Sequence, residues 1–293
     1  MGSLRLLLLS DIHGNIDAVK RLLRARLSQK DKLSGIVISG DIPATIPFSL
    51  VSHYIIRWRN LSRVGYSSKV YKGPLREKFI HYQLRSIALI IPLLEKFSVP
   101  IYFISGNVET KESINFIRKN FSSINFIEKN PVLIDNTYLL SGVGGSLEHL
   151  GILCDHEYSL NDYNNKIMGL QRKLKSYDEN FQNIMIFHEP PKFTRNKVEI
   201  ELMSRKARKR GYTYKFLQTA GSEESYKLIK EINPLLVING HYHEYCGIRK
   251  IKNTIVVNPG PLATYNYAII EILDKIKYKR VYSRFFKIKN YSY

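Results

Sequence analysis

Five short apolar runs in this chain each stop at a residue that can bind a cation. Residues 6–9 run into Ser10-Asp11-Ile12-His13, residues 36–38 into Ser39-Gly40-Asp41, and residues 101–104 into Ser105-Gly106-Asn107. Residues 184–187 stop at His188, and residues 235–238 at Asn239-Gly240-His241-Tyr242-His243. Each run has the length of a buried strand and closes on a turn or polar signal. Ligands bind at the carboxyl ends of strands in open α/β sheets, so five such ends on one rim would form a site. The candidate metal ligands are Asp11, His13, Asp41, Asn107, His188, His241 and His243. They offer oxygen and nitrogen donors and no thiolate. That suits Mn, Fe, Co, Ni or Zn better than a structural Cys-zinc site.

The segments between the runs read as an α/β alternation. Residues 17 to about 26 carry Ala18, Val19, Leu22 and Leu23 on one helical face. Residues 80–97 read as a helix with Pro92 kinking it, and residues 111–120 as another. Short strands are expected over 124–127, 132–134 and 138–141, followed by a glycine-rich bend over 142–146. Ser222 is a plausible N-cap for a helix over 223–231, which Asn233-Pro234 stops. Residues 254–257, 267–273 and 278–286 are expected late strands.

The ordered blocks Asp-x-His, Gly-Asp, Gly-Asn, a lone His and Gly-His-x-His resemble the calcineurin-like metallophosphoesterase superfamily. The resemblance runs from Leu6 to about Pro261. Ser10-Asp11-Ile12-His13-Gly14-Asn15, Gly221-Ser222 and Asn233-Pro234 before the Gly240-His241 strand look like its prokaryotic phosphodiesterase branch. The resemblance implies a four-layer α/β/β/α sandwich, here with basic helical insertions. It also implies two divalent metal ions. Asp11, His13, Asp41 and His243 would hold the first, and Asp41, Asn107, His188 and His241 the second, with Asp41 offering one oxygen to each. Asp41, Asn107 and His241 are then the expected catalytic residues, and Asn15 and Asn107 the expected substrate contacts. Asn15 reads equally as a cap for the helix at Asp17. Hydroxide activated between the ions would attack phosphorus in line. Asn258-Pro259-Gly260 matches a family loop expected to buttress the site. Glu109 either orients the Asn107 loop or is plainly solvated.

One departure stands out. Many members have His directly after Gly-Asn, where it can protonate the leaving group; here the residue is Val108. This leaves metal binding intact and argues against the Ser/Thr protein phosphatase branch. The sharper expectation is a phosphodiesterase acting on nucleic acid or cyclic nucleotides. The alternatives are a broad phosphomonoesterase or, from another class, a protein-binding scaffold on the same fold. Retention of all seven donors speaks against the scaffold.

At 293 residues the chain fits one large domain with insertions over about 44–79 and 192–218. The first holds Arg57, Arg59, Arg63, Lys69, Lys72 and Arg76 among Tyr54, Trp58, Tyr66 and Tyr71. The second holds Arg205-Lys206-Ala207-Arg208-Lys209-Arg210 with Tyr212 and Tyr214. Such segments either grip phosphates and stack bases or form solvated faces. The net charge of +20 draws in anions generally. No run approaches a membrane span, and residues 6–9 are too short for a signal-peptide core. A cytoplasmic protein is the expectation, with Cys154 and Cys246 as buried free thiols. His53, His81, His149 and His156 fall outside every motif and read as surface or loop residues.

Overall fold

A computed structural model describes residues 4–25, 33–44, 74–148, 154–178, 180–192, 221–272 and 276–282. The elements in chain order are β1 (Leu4–Leu9), α1 (Ile16–Arg24), β2 (Gly35–Ile38), α2 (Pro74–Glu95), β3 (Ile101–Phe103), α3 (Lys111–Asn120), β4 (Ile124–Phe126), β5 (Val132–Ile134) and β6 (Tyr138–Val143). Then follow β7 (Ser146–Leu147), β8 (Glu157–Tyr158), α4 (Leu160–Leu174), β9 (Gln182–Phe187), α5 (Glu223–Ile232) and β10 (Leu236–Asn239). The last are β11 (Gly247–Ile251), β12 (Thr254–Asn258), β13 (Tyr267–Ile272) and β14 (Ile276–Tyr282).

Two six-stranded sheets carry the fold, with strand orders β14-β13-β1-β2-β3-β4 and β11-β12-β10-β9-β6-β5. The central strands of each are parallel. Antiparallel strands close the β13–β14 end of the first sheet and both edges of the second. Strand periodicity sorts β1 between two cores. Leu4, Leu6 and Leu8 meet Ile184, Ile186, Leu236 and Ile238 of the other sheet. Leu7 and Leu9 pack with Ala18, Val19 and Leu22 of α1 and with Ile87, Ile90, Ile91 and Leu94 of α2. On the far side of the second sheet, Met185, Phe187 and Val237 pack with Tyr163, Ile167 and Leu170 of α4 and with Leu228 and Ile229 of α5. The result is the four-layer α/β/β/α order. Because the central strands are buried on both faces, they read as continuous apolar runs.

Local chemistry explains the helix starts. Asn15, Thr110, Ser159 and Ser222 each accept a hydrogen bond from the backbone N–H three residues on, opening α1, α3, α4 and α5. Such a cap contributes about 1 kcal/mol. Asn233, left-handed at φ 49°, closes α5.

Some expectations need correction. α2 begins at Pro74, inside the segment read as an insertion, and continues through Pro92. β6 extends through Gly142 to Val143, where a bend was expected. A side chain at Gly142 would collide with the Ile186 carbonyl of β9, so the close pairing needs glycine there. β14 lies over Ile276–Tyr282 rather than 278–286. Cys154 and Cys246 are not in disulfides and are half-buried rather than buried. Of the remaining histidines, His81 is exposed and His156 is half-buried against the Tyr158 hydroxyl at 3.0 Å. His53 and His149 lie outside the described residues, as does nearly all of both basic segments. Among the described residues, no helix is long and apolar enough to cross a membrane.

Candidate metal centre

The carboxyl ends of β1, β2 and β3 from one sheet and of β9 and β10 from the other face the same rim. The connecting loops are tied together before any side chain acts. Asp11 N–H donates to Gly40 O at 3.1 Å, His13 N–H to Asp41 O at 3.0 Å, and Gly240 N–H to His188 O at 3.2 Å. Asn258 donates its amide to Gly240 O and Tyr242 O, holding the β10 loop from behind. Asp11, His13, Asp41 and His241 all adopt left-handed backbone, with φ of 50°, 47°, 58° and 66°. Non-glycine residues seldom do so, and such strain gathers at functional sites. The glycines of the Gly-Asp and Gly-Asn blocks let two loops touch. A Cβ on Gly40 would sit 2.5 Å from His188 Nδ1, and one on Gly106 would collide with the Asp41 carboxylate.

All seven expected donors meet here, in two groups that share a wall. In the outer group, Asp11 Oδ1 lies 3.3 Å from His243 Nε2 and 3.7 Å from His13 Nε2. Those two imidazole nitrogens are 3.3 Å apart. In the inner group, His188 Nε2 lies 3.4 Å from Asp41 Oδ2 and 3.0 Å from Asn107 Oδ1. Asn107 Oδ1 also faces His241 Nδ1 at 3.1 Å. Asp11, His13 and His243 can hold one ion together, and so can Asp11, Asp41 and His188.

The inner oxygens have divided duties. Asp41 Oδ1 accepts the Val108 N–H at 2.9 Å. Asp41 Oδ2 faces His188 on one side and His13, at 3.9 Å, on the other. A single oxygen therefore looks into both groups, where one oxygen for each was expected. Asp11 is split in a similar way. Its Oδ2 accepts from the Ser10 hydroxyl and from His241 N–H, while buried Oδ1 accepts no hydrogen bond. A buried carboxylate oxygen without a donor fits a cation ligand.

The electrostatics point the same way. His188 Nδ1 lies 2.6 Å from Ser39 O, which sets that nitrogen as a donor and turns Nε2 inward. Burial alone would lower its pKa, but the Asp41 carboxylate outweighs that and pushes it up to about 10. Asp41 itself is held below the usual range despite burial, because His188 faces it. Asp11 is also held low against its burial, by His243 and His188. His241 goes the opposite way. Burial pushes it down to about 4, although the Glu189 charge opposes this. Two facing carboxylates thus hold a positive charge on His188, where a divalent cation would serve instead.

Three glutamates outside the motifs complete the centre. Glu109 is fully buried and accepts from Ile42 N at 2.9 Å and Gly106 N at 2.7 Å, tying the Asp41 loop to the Asn107 loop. The solvated reading of Glu109 does not hold. Glu157 accepts from the Asn107 amide at 3.2 Å. Buried Glu189 comes within 3.6 Å of His241 Nε2. Asn15 acts as the α1 cap; its oxygen accepts from Ala18 N at 3.0 Å and its amide donates to Ala263 O at 2.8 Å. Arg76, in the first basic segment, pairs with Asp155 and Glu112 at 3.1 and 2.9 Å.

Comparison with known proteins agrees with this geometry. The family described as metallophosphoesterase, calcineurin superfamily, matches residues 1–281. This chain belongs to that family. It is a metal-dependent phosphoesterase, and at this rim it has Asp and His groups that could hold a metal ion. An uncharacterized protein of Methanocaldococcus jannaschii is 27% identical over 186 residues, covering 63% of this chain and 72% of that protein. One solved structure shares the fold at TM-score 0.68 with 18% identity, covering 96% of this chain and all of the other. The crystal structure of TT1561 of Thermus thermophilus shares it at TM-score 0.56 with 17% identity, covering 92% and 94% of the two chains.

Proposed function

We propose that this phosphoesterase uses two divalent ions and acts on phosphodiesters, in nucleic acid or cyclic nucleotides. The observation that carries the dinuclear reading is Asp41 Oδ2, one buried oxygen aimed at His13 of the outer group and His188 of the inner group. Asp11, His13, Asp41 and His243 would hold the outer ion, and Asp41, Asn107, His188 and His241 the inner one. Bound there, a pair of such ions would supply a water acidic enough to deprotonate near neutral pH, along with positive charge for phosphoryl oxygens. Asn107 contributes a neutral donor, which limits the negative charge facing an anionic substrate. Ser39 O holds His188 in one tautomer. Manganese and the neighbouring metals Fe, Co, Ni and Zn suit the mixed nitrogen and oxygen set.

Val108 bears on the leaving group. Its backbone is fully used, the N–H by Asp41 and the carbonyl by Gln83 at 2.6 Å. Its side chain has no proton to give. The ribose alkoxide that nucleic acid or a cyclic nucleotide releases would therefore take its proton from solvent or from another residue. The net charge of +20 supports an anionic, extended substrate.

The test is metal-stripped protein assayed with Mn, Ni, Co, Zn and Mg on aryl mono- and diesters, cyclic nucleotides, and single- and double-stranded nucleic acid. Diester hydrolysis that is lost on chelation and returns with a transition metal is the expected result. Full activity in thoroughly metal-free protein would sink the reading. A clear preference for monoesters would replace the diester assignment.

A further inference from the structure

Asn107 is an ambiguous ligand. Its side chain ends in an oxygen and a nitrogen of nearly the same shape, and only the oxygen can bind a cation. A half-turn about the last bond would present NH2 to the site. Something must choose, and the donors inside the site cannot do so alone. His188 Nε2 and His241 Nδ1 both lie about 3 Å from Asn107 Oδ1. Neutral His188, with Nδ1 donating to Ser39 O, offers Nε2 only as an acceptor and so favours the wrong end of the amide, while His241 Nδ1 can donate or accept according to its tautomer.

The choice is made from outside. Glu157 Oε1 accepts from Asn107 Nδ2 at 3.2 Å, and its other oxygen accepts from Cys154 N–H at 3.3 Å. An ionised carboxylate only accepts. It therefore attracts the NH2 side of the amide and repels the oxygen side. Glu157 is itself held by backbone pairing. β8 pairs with β7 through Ser146↔Glu157 and Leu147↔Tyr158. β7 follows β6, whose neighbour β9 ends at Phe187, just before His188. The glutamate is thus mounted on the same frame as the inner ligands.

We infer that Glu157 is a positioning residue that orients the Asn107 amide so that its oxygen faces the metal centre. This rests on the dinuclear reading above. Outer partners of metal ligands typically contribute about 10–100-fold in metal affinity.

A double-mutant cycle separates orientation from general support. Manganese affinity of the full chain is measured by electron paramagnetic resonance for wild type, Glu157→Ala, Asn107→Asp and the double variant. Glu157→Ala alone should weaken the inner ion about 10–100-fold. With Asn107→Asp, either oxygen can serve, so there is nothing left to orient, and Glu157 merely repels its neighbour. Adding Glu157→Ala to Asn107→Asp should then leave affinity unchanged or improve it. The same loss in both backgrounds, or no loss in the first, overturns the inference. A wild type that binds none of Mn, Fe, Co, Ni and Zn overturns it together with the dinuclear reading. If the double variant does not fold, the Asn107 side-chain NH2 resonance in metal-free protein decides. It should lose its hydrogen-bonded shift in Glu157→Ala, and an unchanged resonance overturns the inference.

Discussion

The outer and inner donor groups meet at Asp41 yet differ in how they are held. His188 is wholly buried, and its Nδ1 is set against Ser39 O. His241 and Asn107 each have a glutamate behind them. In the outer group, the His243 side chain is 42% exposed and sits on a single 3-10 turn over His243–Tyr245. The difference teaches where each cost falls. The inner geometry is formed by folding, so a cation there finds its donors already placed. In the outer group, buried Asp11 is equally fixed, and His243 is the exposed member.

On the dinuclear reading, the largest break comes from the residue that belongs to both groups. Asp41→Asn removes the charge that faces His13 and His188 and should empty both sites. A Lewis-acid centre contributes several kcal/mol to transition-state stabilisation, so hydrolysis should fall by roughly 10³-fold or more. A loss below about tenfold would show that Asp41 does not bridge.

The two groups should separate next. His243→Ala should lower bound metal from two ions to one and leave the fold intact. His188→Ala should cost the inner ion and lower the melting temperature as well, since it opens a buried cavity. Metal analysis and thermal melts of the two variants read this directly. Equal behaviour in both would erase the distinction between the groups.

Glu109→Ala tests the frame beneath the inner group. It leaves the buried N–H groups of Ile42 and Gly106 without their acceptor. Each such group costs about 1–3 kcal/mol. A chemical denaturation curve should move by about 2–6 kcal/mol on that basis, with weaker metal binding as the Asp41 and Asn107 loops loosen. No change in stability would mean that water replaces the carboxylate.

Protons sharpen the comparison within the inner group itself. In the metal-free protein, His188 is pushed up to about 10 and His241 down to about 4. The folded value for His188 exceeds its unfolded value of about 6.5. Its contribution to metal-free stability is therefore fully present below about pH 6.5 and is lost as pH rises through about 10. At pH 8 a cation must displace that proton, whereas His241 has none to lose. Metal uptake should release about one proton from the inner group, read with an indicator dye. His188→Ala should abolish that release, and a release that persists would assign it elsewhere.

The donors were legible because strand ends are written locally. An apolar run followed by Gly-Asp or Gly-His marks both a strand and what it carries, and all seven marked residues meet at one rim. The supporting glutamates were not legible. Glu157 and Glu189 are ordinary residues in sequence, and only the packing of β8 and the β9 loop brings them to Asn107 and His241. Glu109 has the same composition whether solvated or buried; burial decides its role. Helix α4 was missed although Ser159 and Asp162 form a usable start signal, since the Ser159 hydroxyl caps Asp162 N–H. Its apolar face, with Tyr163, Ile167 and Leu170, would have completed the identification. The extent of α2 was misjudged because basic and aromatic residues before Ile80 mask the helix that starts at Pro74.

The smallest expected effect is a gain, at Val108, and it asks whether the rigid inner side lacks only an acid. A positioned general acid contributes about 10²–10⁴-fold when its leaving group is a poor one. Wild-type rates should therefore fall steeply as leaving-group pKa rises through a series of aryl and alkyl esters. Val108→His places an imidazole one residue beyond Asn107, without disturbing the backbone N–H that Asp41 uses or the carbonyl that Gln83 holds. It brings no dedicated carboxylate partner to fix its ring, so the gain on alkyl esters should sit at or below the low end, about 10²-fold. Aryl esters, which need no proton, should change little. The slope of rate against leaving-group pKa should thus flatten in the variant and remain steep in the wild type. A flat wild-type series would show that an unrecognised acid reaches the leaving group. The half-buried His156 and the residues outside those described would then be the first to substitute.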